Sequence, residues 1–454
     1  MYRFSRAWRT VCGVLCVFAF TSVVCARAPA DAVVGAEPGS SNNDDHDDWS
    51  DFDDFEADDD FDDHDRDDDD QESSNSGHDD DREEESNSDS SSGGGNSGSN
   101  HDGSDDRDGE SRSVDDVLYA IDYDSDGAEY VSGELLFMGT RGDLNLAKRL
   151  GYRVLSTRPL LSGGLVARLA IPSNVPVEEA RSTLAEAAPD SLVALNHIYR
   201  GAQARSVVAT SRPQRGVSLP RGVIGVIDTG VDASSLPDPA ALLSQRAPGG
   251  ARPVAREHGA LVASIATTLG ARVHVLDVFA HTNDGALAAS VERVAAAIDW
   301  MISNRVAVIN VSAQGPDNPI LAAMVQRAVQ RGHIIVAAAG NGGPAARPAY
   351  PAAYDGVVAV TAIDERDRAY IRANRGAYLD FAAPGVNVAV EVGGATAEVS
   401  GTSFAAPYVA VAAAAELHEP SFSGSQRVIN LLRERAQDLG EPGHDEVFGW
   451  GSLD

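Results

Sequence analysis

Apolar runs at residues 223–227, 273–279, 306–311, 334–339 and 357–363 constrain this chain more than any other feature, because amphipathic or Ala-rich stretches such as 286–302 and 320–331 alternate with them. A strand that is apolar at almost every position has no face to offer to water. It has to be covered on both sides, and helices between successive strands are the usual cover. The pattern predicts an α/β domain on a mostly parallel central sheet across residues 221–454. In open sheets of that kind, side chains that perform chemistry collect at the carboxyl ends of strands and on the turns that follow.

Residues 117–205 follow a different order. Residues 134–138, 152–155, 165–171 and 191–198 read as strands, and 143–150 and 176–188 as helices, the first closed by Gly151 and the second opened by Pro176. The succession β-α-β-β-α-β predicts a small ferredoxin-like α+β domain. Residues 201–215 are polar and carry arginines, and a linker is expected at 206–220. Asp122, Asp124, Asp126 and Gly127 begin like an EF-hand loop, yet Gly133 stands at the twelfth position where a bidentate Glu belongs, which argues against a calcium site there.

The formal charge of −33 belongs almost entirely to one segment. Between residues 37 and 116 there are about 34 acidic residues against about 4 arginines. Little in residues 31–116 can be buried, so the segment is expected to be disordered. Trp49, Phe52, Phe55 and Phe61 punctuate it. A solvated spacer and a segment that docks on a cationic surface or gathers divalent ions are both consistent with that composition. Positive charge is a single lysine, Lys148, and scattered arginines, so nucleic acid is not an expected partner.

Arg3, Arg6 and Arg9 precede an uncharged apolar stretch at 11–24, and Ala28-Pro29-Ala30 offers a small-residue cleavage site. Residues 1–30 therefore read as a secretory signal, and the protein as secreted or held in the periplasm or cell envelope. That stretch is short for a membrane span and no other run is long enough. Cys12, Cys16 and Cys25 all fall inside the signal, so the mature chain is expected to have neither a disulfide nor a catalytic thiol.

Three polar residues sit where the sheet argument points. Asp228 ends the run 223–227, His258 opens the helix-like stretch 260–268, and Ser403 opens an Ala-rich helix that reaches residue 417. A serine hydroxyl becomes a useful nucleophile when a neighbouring base takes its proton. An imidazole suits that task, and a carboxylate holds its tautomer. A helix N-terminus favours developing negative charge.

The motifs Val226-Ile227-Asp228-Thr229-Gly230-Val231, His258-Gly259 with Val262-Ala263, and Gly401-Thr402-Ser403 with Ala406-Pro407 resemble, in this order, the three signatures of the subtilisin-like serine peptidases. Val336-Ala337-Ala338-Ala339-Gly340-Asn341 is similar to the segment carrying that family's oxyanion donor, and further matches lie at 308–312, 383–385 and 448–451. The resemblance implies a three-layer subtilisin-like domain and an endopeptidase forming an acyl-enzyme on Ser403. His258 would be general base and acid, Asp228 its orienter, and Asn341 the oxyanion donor. Ser312, Ala313, Gln314 and Gly315, with Ala339 and Gly340, would bind the substrate backbone and its primary side chain. No cofactor is implied for the chemistry. Structural calcium is common among related enzymes, but no ligand set is legible here and no metal residue is named.

The same resemblance implies that residues 117–205 are a propeptide that assists folding and then blocks the cleft as an intramolecular inhibitor, with self-cleavage between about Ala202 and Arg215. Expected partners are protein or peptide substrates, no nucleic acid, and no stable membrane span after signal cleavage; the expected state is a monomer. The sequence departs from the family at Ala260 and Leu261, where Thr and His are usual, at Tyr408, where His is usual, and at Gln314, where Gly is common. Those departures leave room for a catalytically inactive scaffold. Asp228-Thr229-Gly230 also matches an aspartic-protease motif, although that chemistry needs a second carboxylate.

Overall fold

The computed structural model of the protein describes residues 113–114, 117–160, 163–201, 205–208 and 222–453, all within the compact unit Asn100–Asp454. The signal-like segment, nearly all of the acidic segment and most of the expected linker lie outside the described residues.

In the upstream domain, β1 (Leu118–Tyr119) and β2 (Ile121–Tyr123) lead into β3 (Glu129–Gly139), α1 (Arg141–Arg149), β4 (Arg153–Pro159), β5 (Leu165–Ala170), α2 (Val177–Ala187) and β6 (Leu192–Gly201). The four long strands lie in the order β6-β3-β5-β4, antiparallel throughout. Helix α1 starts two residues before the expected position because Thr140 Oγ1 accepts from Asp143 N at 3.2 Å and caps it. The EF-hand-like pattern is a hairpin turn. Asp124 Oδ1 accepts from Asp126 N (2.9 Å) and Ala128 N (2.8 Å), and Ser132 Oγ donates to Asp122 Oδ2 (2.7 Å). Among the described residues no cluster of His, Cys, Asp or Glu is arranged to hold a metal ion, and no helix is long and apolar enough to cross a membrane.

After β7 (Arg205–Val208), the larger domain runs β8 (Val223–Asp228), β9 (Leu242–Arg246), α3 (Glu257–Thr268), β10 (Arg272–Asp277), β11 (Phe279–Thr282), β12 (Leu287–Ser290), α4 (Val291–Ser303), β13 (Val308–Val311), β14 (Ala313–Gln314), α5 (Pro319–Gln330), β15 (Ile334–Ala338), β16 (Val357–Ile363), β17 (Phe381–Pro384), β18 (Val388–Val392), β19 (Ala395–Ser400), α6 (Thr402–Glu416) and α7 (Phe422–Arg435). Seven strands form a wholly parallel sheet, β17-β16-β15-β13-β8-β10-β9. Side-chain alternation divides it between two cores. Ile334, Val336, Val308 and Val275 pack with residues of α3, α6 and α7, whereas Ile335, Ala337, Ile309 and Leu276 pack with residues of α4 and α5. The result is three layers. Strand order reverses at β8, which places Asp228 at the switch point where such sheets leave a crevice.

Two local expectations fail. Residues 286–302 read as one helix, but Leu287–Ser290 form β12, because its backbone pairs antiparallel with β11 on one side and β6 on the other. The expected linker begins with a strand, since Arg205–Val208 pair antiparallel with β19.

The two domains share a sheet. β6 lies between β12 and β3, and its last residues also pair with β14: Ala289 faces Tyr199, Ala313 faces Gly201 and Gln314 faces Arg200. The strand faces of the upstream domain divide accordingly. Leu135, Phe137, Leu169 and Leu195 cluster with residues of α1 and α2, while Leu136, Met138, Val166 and Ala194 join the cluster that holds α4 and α5. Ser113 and Val114, the end of the acidic segment, reach the larger domain as well: Val114 is buried and its N donates to Arg252 O at 3.1 Å. Tyr199 is fully buried, its ring lies where a Cβ on Gly315 would come within 2.7 Å, and its hydroxyl donates to Pro316 O. Tyr199→Ala, made in a Ser403→Ala background, should lower unfolding free energy by on the order of 3 kcal/mol through the lost ring and the orphaned carbonyl, read from the urea midpoint.

Candidate active site

Asp228 has no solvent exposure. Its Oδ1 accepts from Thr229 N at 2.6 Å, and His258 Nδ1 lies 2.9 Å from both carboxylate oxygens. Nδ1 therefore carries the proton, and Nε2 is the basic nitrogen. His258 is the second residue of α3, whose start is stitched to the end of β8: Gly259 N donates to Thr229 Oγ1 (2.9 Å) and Arg256 N to Gly230 O (2.9 Å).

Ser403 is the second residue of α6, buried, with its Oγ unpartnered among the described residues. The next side chain, Phe404, brings its ring to 5.5 Å from the His258 ring, so the starts of α3 and α6 meet. Asn341 follows β15. Its Oδ1 accepts from Thr402 N and Thr402 Oγ1, both at 3.1 Å, and Thr402 Oγ1 accepts from Gly340 N at 3.1 Å. That commits the amide oxygen. Nδ2 is left as a buried donor without a partner among the described residues, 3.1 Å from where a Cβ on Gly401 would stand.

Of the residues expected to bind substrate, Ala313 and Gln314 form β14, and Gly315 exchanges two 3.0 Å backbone hydrogen bonds with Tyr350. Ser312 Oγ accepts from Asn310 Nδ2 at 3.1 Å. Ala339 N donates to Val360 O at 2.9 Å, and Gly340 O accepts from Asn374 N at 3.0 Å. The hydrogen bonds and ring contact thus link Asp228 to His258, His258 to the start of α6, and Asn341 to Thr402, while β14 meets the end of β6 and β19 meets β7.

A family model described as the subtilase family matches residues 221–451. The chain is 35% identical to subtilisin Savinase of Lederbergia lenta over 252 residues, covering 52% of this chain and 90% of that one. It is 35% identical to minor extracellular protease Epr of Bacillus subtilis over 158 residues, covering 34% of this chain but 24% of that one. The crystal structure of fervidolysin from Fervidobacterium pennivorans, a keratinolytic enzyme related to subtilisin, superposes with a TM-score of 0.61 at 20% identity, over 74% of this chain and 62% of that one. The chain belongs to the subtilase family of serine endopeptidases.

Within this subtilase the departures near the site have a packing explanation. Ala260 and Leu261 are buried in the core shared by α3 and α6, and Tyr408 packs against the same core. The aspartic-protease alternative loses its basis, since Asp228 is engaged with an imidazole.

Two participants were not singled out from the sequence: Thr402, which holds the Asn341 amide, and Asp277. Asp277 ends β10 level with Asp228 in the adjacent strand. Its Oδ2 accepts from Val254 N at 2.8 Å, in the segment leading to His258, and Arg256 Nη1 stands 3.6 Å away. A carboxylate closing an otherwise apolar run, as Asp228 does, was the available signal. Burial pushes its carboxyl up to about 6, against the Val254 hydrogen bond and the Arg256 charge. In the unfolded chain the group titrates near about 3.9. As pH rises from about 4 to about 6 the unfolded state ionises first, so this group's contribution falls through that window by on the order of 3 kcal/mol and stays low above it. In a Ser403→Ala background, the difference in unfolding free energy between parent and Asp277→Asn should move towards the variant across that window. Urea titrations at stepped pH that find a constant difference would refute this.

Proposed function

We propose that this subtilase is an exported endopeptidase whose reaction runs through an acyl-enzyme on Ser403. His258 Nε2 takes the Ser403 hydroxyl proton as Oγ attacks the carbonyl carbon of the scissile peptide bond. Asn341 Nδ2 donates to the resulting oxyanion, and the start of α6 adds its dipole. His258 then gives the proton to the departing amine, and water, activated in turn by His258, releases the acyl group. Asp228 keeps the imidazole in the required tautomer and stabilises its charged form. What carries this reading is the bidentate approach of His258 Nδ1 to a buried carboxylate at the switch point of the sheet.

The upstream domain is proposed to be a propeptide acting as an intramolecular inhibitor. In support, β6 occupies the strand position between β12 and β14 that an extended substrate would take, by strand addition. The chain then reaches β7, whose Arg205 pairs with Ser400, three residues before Ser403. We therefore propose self-cleavage between Gly201 and Arg205, a narrower window than the linker composition allows. Export rests on the signal-like residues 1–30, and protein substrates follow from the chemistry.

Wild-type protein should shorten to a chain starting within residues 202–205 while Ser403→Ala stays full length, read by intact mass and N-terminal sequencing; identical masses would contradict self-processing. A fluorophosphonate should label Ser403 in the wild type, and undiminished labelling of His258→Ala would sink the proposed relay. Asn341→Leu should lower kcat by about 10²–10³ with a small change in KM, a magnitude established on a member of this family.

A further inference from the structure

Gln314 stands on the strand edge that faces the substrate, and its side chain crosses to the opposite wall. A Cβ built on Gly340, where φ is +108°, would meet Gln314 Oε1 at 2.5 Å and Asn374 Nδ2 at 2.6 Å. The Gln314 amide thus lies against Gly340 and bridges the edge at Ala313–Gln314 to the turn after β15. Asn374 is fixed behind it, its N donating to Gly340 O (3.0 Å) and its Oδ1 accepting from Gly342 N (2.8 Å). Gln314 Oε1 is buried with no donor among the described residues.

Gln314 faces Arg200, and Ala313 faces Gly201. Side chains alternate along an extended strand, so in a peptide bound in that register the residue two beyond the one opposite Gln314 projects to the Gln314 side. It follows the residue opposite Ala313, on the side of the chain that continues towards Arg205, which pairs with Ser400 near Ser403. We infer that Gln314 closes the recess receiving the side chain of the residue that supplies the scissile carbonyl, and restricts that residue to glycine or alanine. A large apolar side chain would have to displace the amide or bury its unpartnered oxygen under hydrocarbon, and both are unfavourable. In the sequence, the residues from the end of β6 read Gly201-Ala202-Gln203-Ala204, small at every position but one.

This inference rests on the serine-peptidase reading and deepens it. The test is a peptide series, identical except for Gly, Ala, Leu or Phe on the acyl side of the cut, assayed with processed enzyme. Wild type should show kcat/KM for Ala above that for Phe by roughly tenfold or more. Gln314→Gly should raise the Phe-to-Ala ratio by a similar factor, and Gln314→Ala, which keeps a Cβ on the strand, should shift it the same way by less. Cleavage after Phe as fast as after Ala in the wild type, or a ratio unmoved in both variants, overturns the inference. Fluorophosphonate titration of the same samples separates the levels: protein that labels but shows the wrong ratio fails this inference alone. Protein that neither labels nor cleaves fails the reading beneath it, and this inference with it.

Discussion

A carboxylate with no exposure to water is the constraint around which this molecule is arranged. Burying Asp228 unpaired would be costly, and two donors prevent that: Thr229 N and His258 Nδ1. Those donors stay in place only if β8 ends where it does and α3 begins beside it. Both conditions rest on backbone hydrogen bonds, Arg256 to Gly230 and Val254 to the side chain of Asp277. The parallel strands on either side of β8 bury Val273, Val275, Leu276, Val308, Ile309 and Val311 against the helices, while Asp277 ends β10 level with Asp228.

Helix α6 imposes a complementary constraint. It is apolar on nearly every face because it runs through the core between strands and neighbouring helices, and its first turn carries the polar pair Thr402 and Ser403. Thr402 there holds the Asn341 amide by its oxygen, which turns the nitrogen into a committed donor beside Gly401. Ser403, His258 and Asn341 therefore come from three parts of the fold, the starts of α6 and α3 and the turn after β15, joined by the Phe404–His258 ring contact and the Thr402–Asn341 hydrogen bonds.

Strand addition joins the upstream domain to the larger one. Main-chain hydrogen bonds along β6 are indifferent to side-chain identity, so the edge that holds β6 suits an extended peptide of another sequence equally well. The upstream sheet consequently carries two apolar faces, one for its own helices and one for α4 and α5. Buried Tyr199 and the short strand Leu118–Tyr119, which pairs with β11, extend the contact beyond the cleft.

Local periodicity determined much of this protein in advance: the parallel sheet, its cover on both faces, the β-α-β-β-α-β order upstream, and the positions of Asp228, His258 and Ser403 at element ends. Each depends on residues close together in the chain, where apolar spacing and capping act directly. What only the tertiary structure decided depends on partners far away. Leu287–Ser290 is a strand because β6 lies beside it, and Arg205–Val208 is one because β19 does. Asp277 acquires its environment from Val254 and Arg256, and Gln314 its significance from Gly340. Pairing between remote backbones and the desolvation of a buried group leave no periodic trace in the sequence, because both are properties of the assembled neighbourhood.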